Sequence, residues 1–170
     1  MAFMDIDTGT IQRVRDALLQ QGRAAPEAGD ESADHGELPF RQDLLERFTP
    51  FAETMFLVAI VDGHEDPAEL DALRGAMHML TANQLPADAL VDVYQRCKHD
   101  LAQIGLQQYL ERIGSQLAGD RMDRETAFTL AAAVALADEQ VHGAELELMS
   151  EIAGYFGISS KAAKTLLAEI

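Results

Sequence analysis

Asp62-Gly63-His64-Glu65-Asp66-Pro67-Ala68-Glu69 joins two apolar segments, and 76 residues later an altered copy, Asp138-Glu139-Gln140-Val141-His142-Gly143-Ala144-Glu145, joins two more. At the same shift Val58-Ala59-Ile60-Val61-Asp62 lies over Val134-Ala135-Leu136-Ala137-Asp138, and Ala68-Glu69-Leu70 over Ala144-Glu145-Leu146. The order of residues repeats, not only their composition, which marks a duplicated helix-hinge-helix unit. The predicted fold class is all-α: a single helical domain of about eight or nine helices containing two internally related helix-hinge-helix units.

The segments flanking the first copy set the core. Phe51 to Val61 is apolar on nearly every side after Thr54, as a central, buried helix must be. Thr49 as N-cap and Pro50 as first helical residue predict its start, separate from a shorter helix over Leu38 to Phe48. Beyond the hinge, Leu70, Leu73, Met77 and Leu80 fall at helical spacing, and Ala82-Asn83-Gln84 predicts a break. Pro86 opens a helix with Leu90, Val93, Tyr94 and Cys97 inward, and Asp100 caps another carrying Leu101, Ile104, Tyr109 or Leu110, Ile113 and Leu117. Gly105 and Gly114 weaken that helix by about 1 kcal/mol each relative to alanine and would permit close helix contact.

The second copy reads in the same way. Ala118-Gly119-Asp120 ends the preceding unit, and the alanine-rich stretch Asp123 to Ala137 predicts a second central helix. Leu146, Met149, Ile152 or Ala153, and Phe156 then repeat the inward pattern, Gly157 stands at a helix C-cap, and Ser159 or Ser160 caps a last helix with Leu166, Leu167 and Ile170 as its buried stripe. The methionines at 55, 77, 79, 122 and 149 read as core filling.

Upstream, Asp7, Thr8 and Thr10 offer N-caps for an amphipathic helix with Ile11, Val14 and Leu18 on one face. Gly22 to Glu37 holds no large apolar residue and buries too little to offset its ordering entropy. The expected organisation is therefore an N-terminal helix over 1–21, a flexible linker over 22–37 and the helical domain proper over 38–170.

Charge and cysteine usage exclude several functions. A net charge of −16 on 170 residues repels phosphate backbones and anionic membranes and favours cations or basic partners, so nucleic acid is not expected as a ligand. One cysteine, Cys97, rules out an internal disulfide framework and multi-thiolate zinc sites, and fits a reducing compartment. The start of the chain carries acids where a secretory signal would carry bases, and the most apolar windows fall short of the roughly 20 residues that span a bilayer. A cytoplasmic location without direct membrane insertion is the expectation.

An alanine-rich buried helix, then Asp138, a short turn, Glu145, and an amphipathic helix ending Tyr155-Phe156-Gly157-Ile158-Ser159 resembles the tellurite-resistance TerB-like family, most clearly over Phe128 to Ile170. A weaker copy covers Phe51 to Leu90. The resemblance implies an all-helical fold with related halves and a role in bacterial stress responses to tellurite and other chemical insults. It also implies kinship with the cytoplasmic start of some membrane-anchored DnaJ-type co-chaperones. The partners implied are proteins, including a membrane-associated stress-response complex, or a second copy in a homodimer. Members of the family carry Asp-Gly, a hydrophobic residue and then Glu at the hinge. Here Asp62-Gly63 is followed by Glu65 where the hydrophobic residue would stand, and the second hinge keeps Val141 but has Glu139 for the glycine.

Two readings of the hinge acids stand side by side. Asp62, Glu69, Asp138 and Glu145, with Glu65 and Asp66 nearby, could present oxygens to a divalent cation, the one cofactor expected; no organic cofactor is. Alternatively Asp66-Pro67-Ala68-Glu69 is a capping box, and acids at a helix N-terminus simply answer its dipole. The spacing is not an EF-hand, because Pro67 replaces the required glycine and Leu73 stands where the bidentate Glu belongs. His64 and His142 beside carboxylates would suit zinc or nickel, or be solvated hinge residues. No phosphate loop, nucleophile elbow or Cys/His pairing is present, so no enzyme is predicted. Cys97, between Arg96 and Lys98, reads as a small buried hydrophobe.

Overall fold

The computed structural model describes residues 6–20, 37–61, 67–137 and 143–170, without the side chains of 37–41 and 68–69. Among these residues there are helices and no strand: α1 (Thr8–Gln20), α2 (Glu37–Val61), α3 (Pro67–Leu80), α4 (Ala87–Leu117), α5 (Arg121–Ala135), α6 (Gly143–Tyr155) and α7 (Ser160–Ala168). The linker expected over 22–37 lies outside the described residues except for Glu37. α2 packs most extensively on α4 and α5; α1 lies on α3 and reaches α5, and α6 and α7 both lie on α5.

The duplication survives at atomic level. α3 begins at Pro67 and α6 at Gly143, the same shift that relates the two hinges. Leu73, Ala76, Met77 and Leu80 are all buried, and so are their counterparts Met149, Ile152, Ala153 and Phe156. Residues 51–58 of α2 are buried without exception, as are seven of the eight positions 127–134 of α5, where Thr129 alone is partly exposed. Both amphipathic helices end in the same way. The amide of Ile158 donates to Ala153 O at 2.8 Å and that of Gly157 to Gly154 O at 3.2 Å, while Asn83 N donates to His78 O at 2.7 Å and Ala82 N to Met79 O at 3.3 Å. These are two Schellman caps, whose turning residue must adopt a left-handed conformation. Gly157 does so at φ 67° and Ala82 at φ 51°.

Among the described residues seven helices stand in place of the eight or nine expected, for two reasons. Thr49-Pro50 does not start a helix; Pro50 lies inside α2. Proline removes one i to i−4 bond, which ordinarily breaks a helix. Here Leu44, Phe48, Phe51, Ala52 and Met55 form one buried stripe straight through it. Phe48 and Phe51 also stack edge to face at 5.8 Å. The Thr49 hydroxyl, expected as a cap, instead donates back to Leu45 O at 2.6 Å, and Thr54 does the same to Pro50 O at 2.6 Å. The second reason is α4, in which Asp100 starts no new helix. The chain leaves helical geometry at Gly105 instead (φ 79°, ψ 165°), dividing α4 into arms 87–104 and 106–117.

Other boundaries follow their caps. Asp7 caps α1, accepting from the amides of Gly9 at 3.3 Å and Thr10 at 2.8 Å, and Ile11, Val14 and Leu18 are buried as expected. α5 starts two residues before Asp123 because Asp120, read as the end of the preceding unit, accepts from Met122 N at 2.7 Å. Ser159 caps α7, but that helix has no fully buried residue, so Leu166, Leu167 and Ile170 form a half-covered stripe. Met122 is exposed, unlike the other core methionines. Gly114 makes the close approach expected of it, for an added Cβ would lie 2.9 Å from Tyr155 O at the end of α6, whereas at Gly105 nothing lies within 4 Å.

The two caps predict opposite outcomes. Ala82→Gly relieves a left-handed alanine and raises stability by about 0.5 kcal/mol, and Gly157→Ala introduces that strain and lowers it by about 1 kcal/mol, read by urea unfolding. Gly114→Ala drives its methyl into backbone and lowers stability by about 1–3 kcal/mol in the same assay.

Candidate functional site

Of the hinge acids, Glu69 and Glu145 are placed by the starts of α3 and α6. Asp62 and Asp138, with His64, Glu65, Asp66 and His142, lie outside the described residues, and Glu69 is described only as first-turn backbone of α3. Glu145 is described in full. It stands in the first turn of α6 with only 7% of its surface exposed, and it has an interaction partner. A carboxylate there faces unpaired amides and the positive end of the helix dipole. Among the described residues no three His, Cys, Asp or Glu side chains come together as metal ligands would. His78 and His99 are likewise in no such group.

A second concentration of ionisable groups lies in the seam between α2 and α4. Glu53, in the middle of the buried stretch of α2, is 7% exposed. Its Oε1 is 3.5 Å from the Arg112 guanidinium, which also holds Asp100 Oδ2 at 2.8 Å. In a straight helix residues 100 and 112 would be about 18 Å apart. The departure at Gly105 is what allows the contact. The Arg112 guanidinium also sits 4.4 Å over the Tyr109 ring.

The cluster is only partly satisfied. Glu53 Oε2, the Tyr109 hydroxyl and Arg112 Nε are buried with no partner in hydrogen-bond geometry, although Glu53, Tyr109 and Cys97 lie close enough to shift one another's protonation. Burial pushes the Glu53 carboxyl above its ordinary value of 4.5, against the opposing pull of Tyr109, Arg112 and Arg96. Burial likewise pushes the Cys97 thiol up to about 12 and raises the Tyr109 hydroxyl above its ordinary range. A thiol so placed is protonated and unreactive at neutral pH, in keeping with its reading as a buried hydrophobe. The sequence held one signal for this cluster: Glu53 is the lone charge in Phe51 to Val61, a segment read as a central buried helix, and a buried charge needs a counter-charge. Nothing local pointed to Arg112 as the partner.

Among the described residues the architecture defines a class: an all-helical acidic protein built on two buried helices, each followed in sequence by an acid-rich segment and then an amphipathic helix. A family model described as "Tellurite resistance protein TerB" matches residues 49–168. The chain belongs to the TerB family. Comparison with the curated proteins and with the solved structures yielded no match.

For Glu53 the ionised form is the one that burial penalises. Its favourable contribution is thus whole below the ordinary value of 4.5 and is lost as pH rises through its higher native value. Glu53→Gln, which cannot ionise, should gain in stability relative to the native chain as pH rises from about pH 4 to about pH 8. Urea midpoints of both proteins across that range check the sign.

Proposed function

We propose that this TerB-family protein is a non-catalytic stress-response module that takes a divalent cation at its two hinges, with Asp62, Glu69, Asp138 and Glu145 as oxygen donors. The observation that carries the reading is Glu145: a carboxylate nearly removed from water in the first turn after an acid-rich hinge, at the position Glu69 occupies in the duplicated unit. Carboxylate oxygens suit hard cations such as calcium and magnesium. A bound cation would neutralise part of a net charge of −16. The order of α2, hinge and α3, repeated as α5, hinge and α6, would supply two acidic donors from each hinge.

The exposed Leu136 and Leu146 on either side of the second hinge favour a second reading, in which the hinges meet a basic protein partner without metal. Such a contact would weaken as salt screens it.

Titration calorimetry and thermal melting with calcium, magnesium, zinc and nickel separate the two. The cation reading expects heat and a raised melting temperature with at least one ion, about 2.7 kcal/mol of stabilisation at a hundredfold excess over Kd. The double variant Asp62→Asn, Asp138→Asn should lose both responses. No heat and no shift with any of the four ions removes the cation reading, and salt-dependent capture of a partner then tests the other.

A further inference from the structure

The α2–α4 seam has properties that neither the duplication nor the hinges require. Glu53 is buried with one oxygen unpartnered, and Tyr109, a large and fully buried side chain, has an unpartnered hydroxyl. Arg112 stands between Glu53 on α2 and Asp100 on the first arm of α4, so one guanidinium ties the second arm both to α2 and to the other half of its own helix. Between the arms, Gly105 adopts a left-handed backbone conformation open to glycine, is exposed, and has open space where a side chain would project. A surface cleft of about 700 Å³, lined among others by Gly105, Gln108, Glu111 and Arg112, brings water to the outer side of the same arm.

From this geometry we infer that the seam between α2 and the second arm of α4 is a proton-operated latch, with Glu53 as the sensor, Arg112 as its counter-ion and Gly105 as the pivot. When the seam is shut, Glu53 is cut off from water; when residues 106–112 lift, the carboxyl regains hydration. A buried carboxyl that holds its proton more tightly than a hydrated one makes proton uptake close the seam, and ionisation favour its opening. The principal groups acting on Glu53 are Tyr109, Arg112, Arg96 and Asp100, with Cys97 beside them, and all stand on α4. The charged side chains of α3, α5 and α6 are not among those principal groups. Arg112 attracts the ionised form and keeps the latch from springing fully at neutral pH.

Amide hydrogen exchange of the full chain tests this, with rates corrected for the intrinsic pH dependence of exchange. In the native protein, protection of amides 106–112 should fall from about pH 5 to about pH 8, the direction that tighter proton binding in the shut seam requires. Glu53→Gln should hold the protected level throughout. Arg112→Gln, which removes the counter-ion, should enlarge the native change. A carbon-detected titration of Glu53 should show its midpoint above 4.5. Equal pH dependence in the native protein and Glu53→Gln, a diminished one in Arg112→Gln, or a Glu53 midpoint at or below the ordinary value overturns the inference.

Discussion

The structure depends on the contact between α2 and α5, which are buried over matching stretches and carry side chains of unequal size there. α2 brings Phe51, Met55, Phe56 and Leu57; at the duplicated positions α5 offers Ala127, Ala131, Ala132 and Ala133. Small residues on one of two packed helices let the pair approach closely, while large residues on the other fill the space around it. α4 covers the opposite flank of α2, where Tyr94 meets Phe56 edge to face at 5.2 Å. The remaining helices take their places around this pair.

The duplication is therefore strict where burial demands it and loose elsewhere. Buried positions of α3 recur as buried positions of α6, and both helices close with a Schellman cap, yet only one cap has glycine at its turning position. A hydrogen-bonded cap can hold an alanine in a left-handed conformation at a cost of about 1–2 kcal/mol, which a large core absorbs. Outside the core the copies differ more. α1 lies on α3, while Leu146 of α6 stands well exposed.

Two kinds of acid result from this architecture. Glu145 stands in the first turn of α6, where unpaired amides favour negative charge whether or not a cation joins it. Glu53 sits in mid-helix, where the backbone offers it nothing and the counter-charge comes from another helix. The first kind is in harmony with its local setting; the second is in tension with it, and that tension makes its ionisation responsive to the packing around it.

Periodicity and capping chemistry are local properties, and so the all-helical class, the duplicated unit, most helix starts, the buried faces of α1 and α3 and the Gly157 cap could all be read directly from residue order, whereas Leu146 of α6, read as inward, is exposed. Family membership was legible too, on the alanine-rich helix, Asp138, Glu145 and the Tyr155-Phe156-Gly157 ending. Residue order misplaced the breaks around Pro50 and Gly105, because proline disrupts a helix only if flanking burial does not outweigh the lost hydrogen bond, and glycine bends one only if the packing on both sides calls for it. It was silent on the meeting of Glu53, Asp100 and Arg112. Which charges become neighbours is settled by how distant segments pack, and a guanidinium 59 residues away from its carboxylate leaves no periodic trace in the chain.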